Sequence, residues 1–396
     1  MKIELILLFL MVILISSSGS ISAESSYKDT ASTNTMSSWH FIALGDSRQQ
    51  LGTWDSVREQ YSHENSSNPI RAALINSIVE DNPNVEFIVH TGDMVASGGE
   101  QDDWDRFFED IENATNKNIP FYYAVGNHEI YTYAEGPGDY GDDDDDFSTY
   151  LVNVDLPGNE RYYSFNYKNQ IHFVFINTEE YWNGKFNITP DQKSWLIGDL
   201  ENNTIDFVVA VFHRPCYSIR NAGRVRDAQN ARSVLEPILL QYDVDLMFSG
   251  HDHYYYRTIR NDTTYITTGG AGADLYTNED LSEWQEGDVY FSEYHYCNVT
   301  VVNVGGNLSV NVDTLIFHES NKSTTLGDSF QILAPPAETT TSTTEITQST
   351  ITTEKTTSSN ITTSMTTESR VTPYTFITTI IGLVVISYSL KKLKYN

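Results

Sequence analysis

Four short motifs and one lone histidine carry residue types that bind metal ions: Gly45-Asp46, Gly92-Asp93, Gly126-Asn127-His128-Glu129, His213, and Gly250-His251-Asp252-His253. Carboxylate, amide oxygen and imidazole are the ligands that hold divalent or trivalent ions in pairs about 3.5 to 4 Å apart, and such a pair activates water for in-line attack on phosphorus. The chemistry this set points to is phosphoester hydrolysis. Singly the residues say little, and His90, His172 and His295 read as ordinary core or surface histidines.

Ligands so distant in sequence meet only if the fold gathers their loops. The apolar runs Trp39 to Leu44, Val85 to His90, Phe121 to Val125, Ile205 to Phe212 and Val244 to Phe248 predict strands, and each ends just before a motif. Between them Ile70 to Val79, Trp104 to Ile111, Pro190 to Leu200 and Ala228 to Leu240 predict helices, and Tyr162 to Tyr167 with Ile171 to Asn177 a hairpin. Loops at the carboxyl ends of strands converge in one crevice of an α/β sheet, which is where such ligands can share a rim. The later runs Tyr254 to Ile259, Tyr265 to Thr268, Cys297 to Val304 and Leu308 to Ile316 are rich in β-branched and aromatic residues and predict antiparallel strands of a second sheet. The expected fold is α/β (α+β), a two-sheet β-sandwich flanked by helices.

These motifs, in this order, resemble the calcineurin-like metallophosphoesterases and are most similar to the purple acid phosphatases. The likeness extends to Phe212-His213-Arg214-Pro215-Cys216-Tyr217, to Tyr163-Ser164-Phe165, and to His253-Tyr254-Tyr255-Tyr256-Arg257. The resemblance implies a four-layer αββα fold over residues 37–334. It also implies that Asp46 and His253 bind a first metal, that Asp93 bridges, and that Asn127, His213 and His251 complete a second site; the two ions would be Fe, Mn or Zn. It places His128 over the leaving group as acid or hydrogen-bond donor, with Glu129 either orienting that histidine or serving as an ordinary carboxylate.

Two departures bear on the first metal. Most of the superfamily has histidine two places after the first aspartate, where this chain has Arg48; the purple acid phosphatases have tyrosine three places after the bridging aspartate, where it has Ala96. No purple ferric-tyrosinate form is therefore expected, and the first metal is weaker or differently chosen; Tyr131 or Tyr133 is the alternative source of a phenolate. Arg48 can grip a phosphate oxygen through its forked donors or pair with a nearby acid. Arg220, followed by Arg224 and Arg226, suggests anion capture in so acidic a chain.

The rest of the chain speaks to location. Residues 1–23, with Lys2 ahead of the apolar run Leu5 to Ile15, read as a secretory signal peptide. Residues 335–372 are Thr- and Ser-rich and read as a disordered stalk; 373–390 read as a transmembrane helix and 391–396 as a short basic cytoplasmic tail. Nine Asn-x-Ser/Thr sequons agree with passage through a glycosylating compartment. Asp142 to Asp146 reads as a solvated loop, with a weak calcium site as the alternative. The two cysteines, Cys216 and Cys297, leave their redox state open. A net charge of -30 argues against nucleic acid as a partner.

The expected protein is a cell-surface, binuclear-metal phosphatase, acid-phosphatase-like, acting on phosphomonoesters of small molecules or surface substrates through metal-activated hydroxide. A phosphodiesterase or nucleotidase on the same site is the alternative within enzymes. A surface binding or adhesion module with a degenerate metal site is the alternative outside them.

Overall fold

In chain order the sheet strands and helices are β1 (Met36–Leu44), α1 (Pro69–Asp81), β2 (Ile88–His90), α2 (Gln101–Asp110), α3 (Glu112–Thr115), β3 (Phe121–Tyr123), α4 (Ser148–Asn153), β4 (Tyr163–Tyr167), β5 (Ile171–Phe175), α5 (Pro190–Asn202), β6 (Phe207–Val211), α6 (Ala222–Gln241), β7 (Leu246–Ser249), β8 (Tyr255–Arg260), β9 (Thr263–Thr268), β10 (Val289–Phe291), β11 (His295–Val304), β12 (Asn307–His318) and β13 (Ser323–Leu333). The computed structural model describes residues 36–49, 54–55, 60–61, 68–130, 147–182 and 185–334. Among these no helix is long and apolar enough to cross a membrane. The segments 1–23, 335–372, 373–390 and 391–396, the run Asp142 to Asp146, and Tyr131 and Tyr133 lie outside the described residues.

Alternation along the strands decides how the layers stack. In β6, Phe207, Val209 and Val211 enter one core while Val208 and Ala210 enter another, and β5 divides Phe173 and Phe175 from Val174 in the same way. Successive side chains of a strand point to opposite faces, so a strand apolar at every position is covered on both. The first core lies between the sheets, where Phe41 stacks on Phe87 at 5.2 Å and meets Phe173 edge-on at 5.2 Å. The second lies under α5 and α6, which contribute Leu196, Leu200, Leu235 and Leu239. Helices α1 and α2 add Leu74, Ile78, Trp104 and Phe107 to the first core.

Of the two large sheets, one has six strands in the order β13-β12-β11-β1-β2-β3 and the other seven in the order β10-β8-β9-β7-β6-β5-β4; two short hairpins, Trp54–Asp55 with Gln60–Tyr61 and Glu180–Trp182 with Lys185–Asn187, stand apart from them. Pairing is parallel across β1-β2-β3 and across β5-β6-β7-β9, and antiparallel at the remaining junctions. The result is the two-sheet sandwich with flanking helices that the strand pattern predicts. The later strands differ from expectation: β8 and β9 extend the sheet that holds β6 and β7, whereas β11, β12 and β13 extend the sheet that holds β1. They therefore complete two sheets and do not make one of their own.

Cys216 and Cys297 are free thiols, each buried and each in a different core, so they form no bridge. Among the sequons, Asn202, Asn261, Asn307 and Asn321 are exposed and Asn113 is half-buried, while Asn187 is buried and donates to the Asn230 carbonyl.

Candidate metal centre

Strands β1 and β2 run parallel and end together, and their ladder continues into the loops: Asp46 N–H donates to the Gly92 carbonyl at 3.0 Å and Arg48 N–H to the Asp93 carbonyl at 2.9 Å. Asp46, Asp93 and His251 each turn out of a strand end with positive φ, 56°, 58° and 70°. Non-glycine residues pay roughly 1 to 2 kcal/mol for this left-handed geometry, somewhat less for Asp, so the surrounding contacts must hold it. Two glycines make the close approach possible. A Cβ on Gly126 would sit 2.4 Å from Asp93 Oδ1, and one on Gly250 would sit 2.4 Å from Asp46 Oδ2.

The holding contacts come from residues the sequence does not single out. Asn68 caps α1 through its side-chain oxygen and uses its amide N–H to hold the carbonyls of Ser47 and Arg48 at 3.0 and 2.9 Å. Arg71, 1 % exposed, donates to the Ser47 carbonyl at 3.2 Å and the Met94 carbonyl at 2.8 Å while pairing with Asp110. It thereby ties the Asp46 loop to the Asp93 loop. His90 meets the Ser47 hydroxyl at 2.9 Å. The one sequence cue was an arginine and an Asn-Pro start on an otherwise apolar helix pattern.

The electron-pair donors of the motifs converge behind these loops. Asn127 Oδ1 lies 3.0 Å from His213 Nε2 and 2.8 Å from His251 Nδ1, and those two nitrogens are 3.2 Å apart. Asp93 Oδ1 is 3.3 Å from His213 Nε2, and His253 Nε2 is 3.4 Å from Asp46 Oδ1. Donor atoms of Asp46, Asp93 and His213 all fall within 4.8 Å of one another. The outer nitrogens are fixed by carbonyls, His213 Nδ1 by Thr91 at 2.8 Å and His253 Nδ1 by Asp274 at 2.6 Å, so that in the neutral ring each Nε2 faces the cluster as a lone pair.

Charge explains why this arrangement suits a cation. Burial works against a charged His213, yet the adjacent Asp93 carboxylate outweighs it and lifts the imidazole to about 10. Burial likewise favours a protonated Asp93, and the His213 and His128 rings reverse that, holding its carboxyl well below the usual range. A cluster of buried oxygen and imidazole donors that pulls in a proton this strongly fits divalent ions of the first transition row. Asp93, Asn127, His213 and His251 would hold one such ion; Asp46, Asp93 and His253 offer donors for a second.

His128 sits at the edge of the cluster, with Nε2 3.9 Å from Asp93 Oδ2 and Nδ1 2.7 Å from the Ala96 carbonyl. The carbonyl can only accept, so in the neutral ring the proton is on Nδ1 and Nε2 is bare. Burial first, then the charge of Arg48, lowers this histidine to about 3. Among the described residues Glu129 spends its hydrogen bonds on backbone N–H groups, not on that ring. Its fully buried carboxylate accepts from the backbone N–H groups of Gly126 at 2.7 Å, Asp93 at 2.8 Å and Met94 at 2.7 Å, and so locks the Asp93 and Asn127 loops to each other.

The two arginines diverge. Arg48 is half-buried beside the cluster, and its charge bears on Asp93 and His128. Arg220 is turned elsewhere: it pairs with Glu279, donates to the Thr277 carbonyl, and lies over the Tyr276 ring at 4.7 Å. The neighbour nearer the cluster is Arg224, which faces Asp252 at 3.6 Å and, after burial, does most to keep His251 neutral.

The sequence profile of the calcineurin-like phosphoesterases matches residues 41–255, which span every motif above. The chain belongs to the calcineurin-like phosphoesterases. Within that family it is similar to purple acid phosphatases of Arabidopsis thaliana: 32 % identical over 166 residues to purple acid phosphatase 15, covering 40 % of this chain and 28 % of that protein. It is 30 % identical over 240 residues to probable inactive purple acid phosphatase 9, covering 50 % of this chain and 35 % of that one. The chain thus spans about a third of the length of these relatives. The purple acid phosphatase PPD1 from yellow lupin seeds shares the fold, with a TM-score of 0.57 at 20 % identity over 75 % of this chain and 54 % of that one. This calcineurin-like phosphoesterase brings its motif aspartates, asparagine and histidines together, with Arg48 and Ala96 beside them in the Asp46 and Asp93 loops.

Proposed function

We propose that this chain is a metal-dependent phosphatase of phosphomonoesters, acting outside the cell from a membrane anchor. The observation that carries the chemistry is the buried convergence of Asp46, Asp93, Asn127, His213, His251 and His253, with His128 at its rim. When bound, metal ions polarise the phosphate oxygens and lower the pKa of water so that it attacks at neutral pH. The chain's own residues supply the rest. Carbonyls of Thr91 and Asp274 aim the ligand nitrogens, and Glu129 and Arg71 keep the loops from separating. A phosphate dianion brought beside Nε2 of His128 would raise that nitrogen's proton affinity, so His128 acquires its acid form with substrate present and protonates the departing oxygen.

The leading segment, stalk and C-terminal apolar segment of the sequence support a surface location, and the exposed sequons are compatible with it. The test is direct. The full-length protein, loaded in turn with Mn, Fe or Zn, is assayed on p-nitrophenyl phosphate and on its bis-ester. Faster turnover of the monoester is expected, preference for the bis-ester would make it a diesterase, and a folded, metal-loaded protein inert toward both would leave a binding module as the reading.

A further inference from the structure

The two donor sets share Asp93 but are unequal. Asp93, Asn127, His213 and His251 form a four-residue set whose facing atoms are 2.8 to 3.3 Å apart. On the other side Asp46 and His253 meet at 3.4 Å with, among the described residues, only Asp93 to share. Arg48 follows Asp46 by two residues on the same loop, and what it brings there is a positive charge. Its backbone is held at both ends, N–H donating to the Asp93 carbonyl at 2.9 Å and carbonyl accepting from the Asn68 amide at 2.9 Å. Its Nε is buried with no hydrogen-bond partner among the described residues, and Nη1 reaches only the neighbouring Gln49 carbonyl, at 3.1 Å.

A guanidinium stays charged under all working conditions and its donors are spaced to match two oxygens of a phosphate. Placed beside a bound dication, one such charge weakens that ion's affinity by about two to three orders of magnitude at the effective dielectric of a protein site. We propose that the chain holds one metal ion firmly, on Asp93, Asn127, His213 and His251, and that Arg48 grips the substrate phosphate on the Asp46–His253 side, where a second ion binds only weakly. This rests on the phosphoesterase reading above and specifies how its site is charged.

The test uses the full-length wild-type protein with R48Q, which removes the charge, and R48H, which also supplies a ligand. Each is stripped with chelator, reloaded with excess Zn or Mn, desalted, and its metal measured per chain by mass spectrometry. Wild type should retain one ion and R48H two. The second equivalent should bind about 100-fold tighter or more to R48Q than to wild type. Inorganic phosphate, titrated against the one-ion forms, should bind about tenfold weaker to R48Q. Two firmly held ions in wild type, an unchanged second-ion affinity in R48Q, or unchanged phosphate binding would each overturn the proposal; R48Q carries the test alone if R48H does not fold. One retained ion without turnover of any ester would defeat the phosphatase reading and leave the metal count intact.

Discussion

At the scale of single residues, His128 separates chemistry from architecture. Its backbone N–H donates to Asp93 Oδ1 at 2.9 Å, a contact that survives any change of side chain, while its ring reaches the cluster edge without closing on a ligand nitrogen. His128→Asn should therefore leave metal content unchanged and lower kcat for an activated phosphomonoester by about 10² to 10⁴, the span expected for loss of a general acid. Metal analysis and steady-state kinetics on one preparation decide it. Equal loss of metal and activity would mean that the ring is structural. Glu129 shows the reverse case, a residue next to the chemistry in sequence whose carboxylate is consumed by four backbone N–H groups.

Among the elements, α1 acts as the clasp of the site, because its first turn supplies both Asn68 and Arg71 to the loops leaving β1 and β2. Arg71→Met would leave the Ser47 and Met94 carbonyls and the Asp110 carboxylate without their partner in a buried place. The expected cost is about 3 to 5 kcal/mol of stability, with weaker metal binding as the two aspartates lose their common anchor. Chemical denaturation of the metal-free protein measures the first effect; a midpoint within error of wild type would rule out the clasp. The convergence of the candidate donors was legible in the sequence because β1, β2, β3, β6 and β7 are short apolar runs, each ending in a motif, and strand ends of an α/β sheet meet in one crevice. The clasp was not, since an arginine inside a helix pattern gives no sign of what it faces. Nor was the destination of β8 to β13: pairing between distant strands is set by tertiary packing, and β13, with sequence Ser-Thr-Thr-Leu-Gly-Asp-Ser-Phe-Gln-Ile-Leu, has too little alternation to announce itself.

For the molecule as a whole, a net charge of -30 and a buried acidic centre make its stability depend on cations and protons. An ion present at about a thousand times its dissociation constant adds about 4 kcal/mol to the folded state, so chelation should lower Tm by about 6 °C in a body this size. Scanning calorimetry with and without chelator tests this, and coincident transitions would mean the cluster binds no metal. Protons act at the far end of the strands as well. Asp245 precedes β7 and lines a groove of 880 Å³ with Asp206, Asp243 and Asp262. Burial, abetted by Asp243, raises its carboxyl to about 6 even though the Val208 N–H favours the charged form. An acid whose folded value exceeds its unfolded value of about 3.9 binds its proton more tightly when folded; it adds stability below about pH 4, and that contribution is lost as pH rises through 6. Asp245→Asn keeps an oxygen for Val208 and removes the charge. It should unfold a few degrees above wild type at about pH 7.5, corresponding to about 1 to 2 kcal/mol, with the gap closing near pH 4. A gap of equal size at both pH values would trace the gain to something other than the proton.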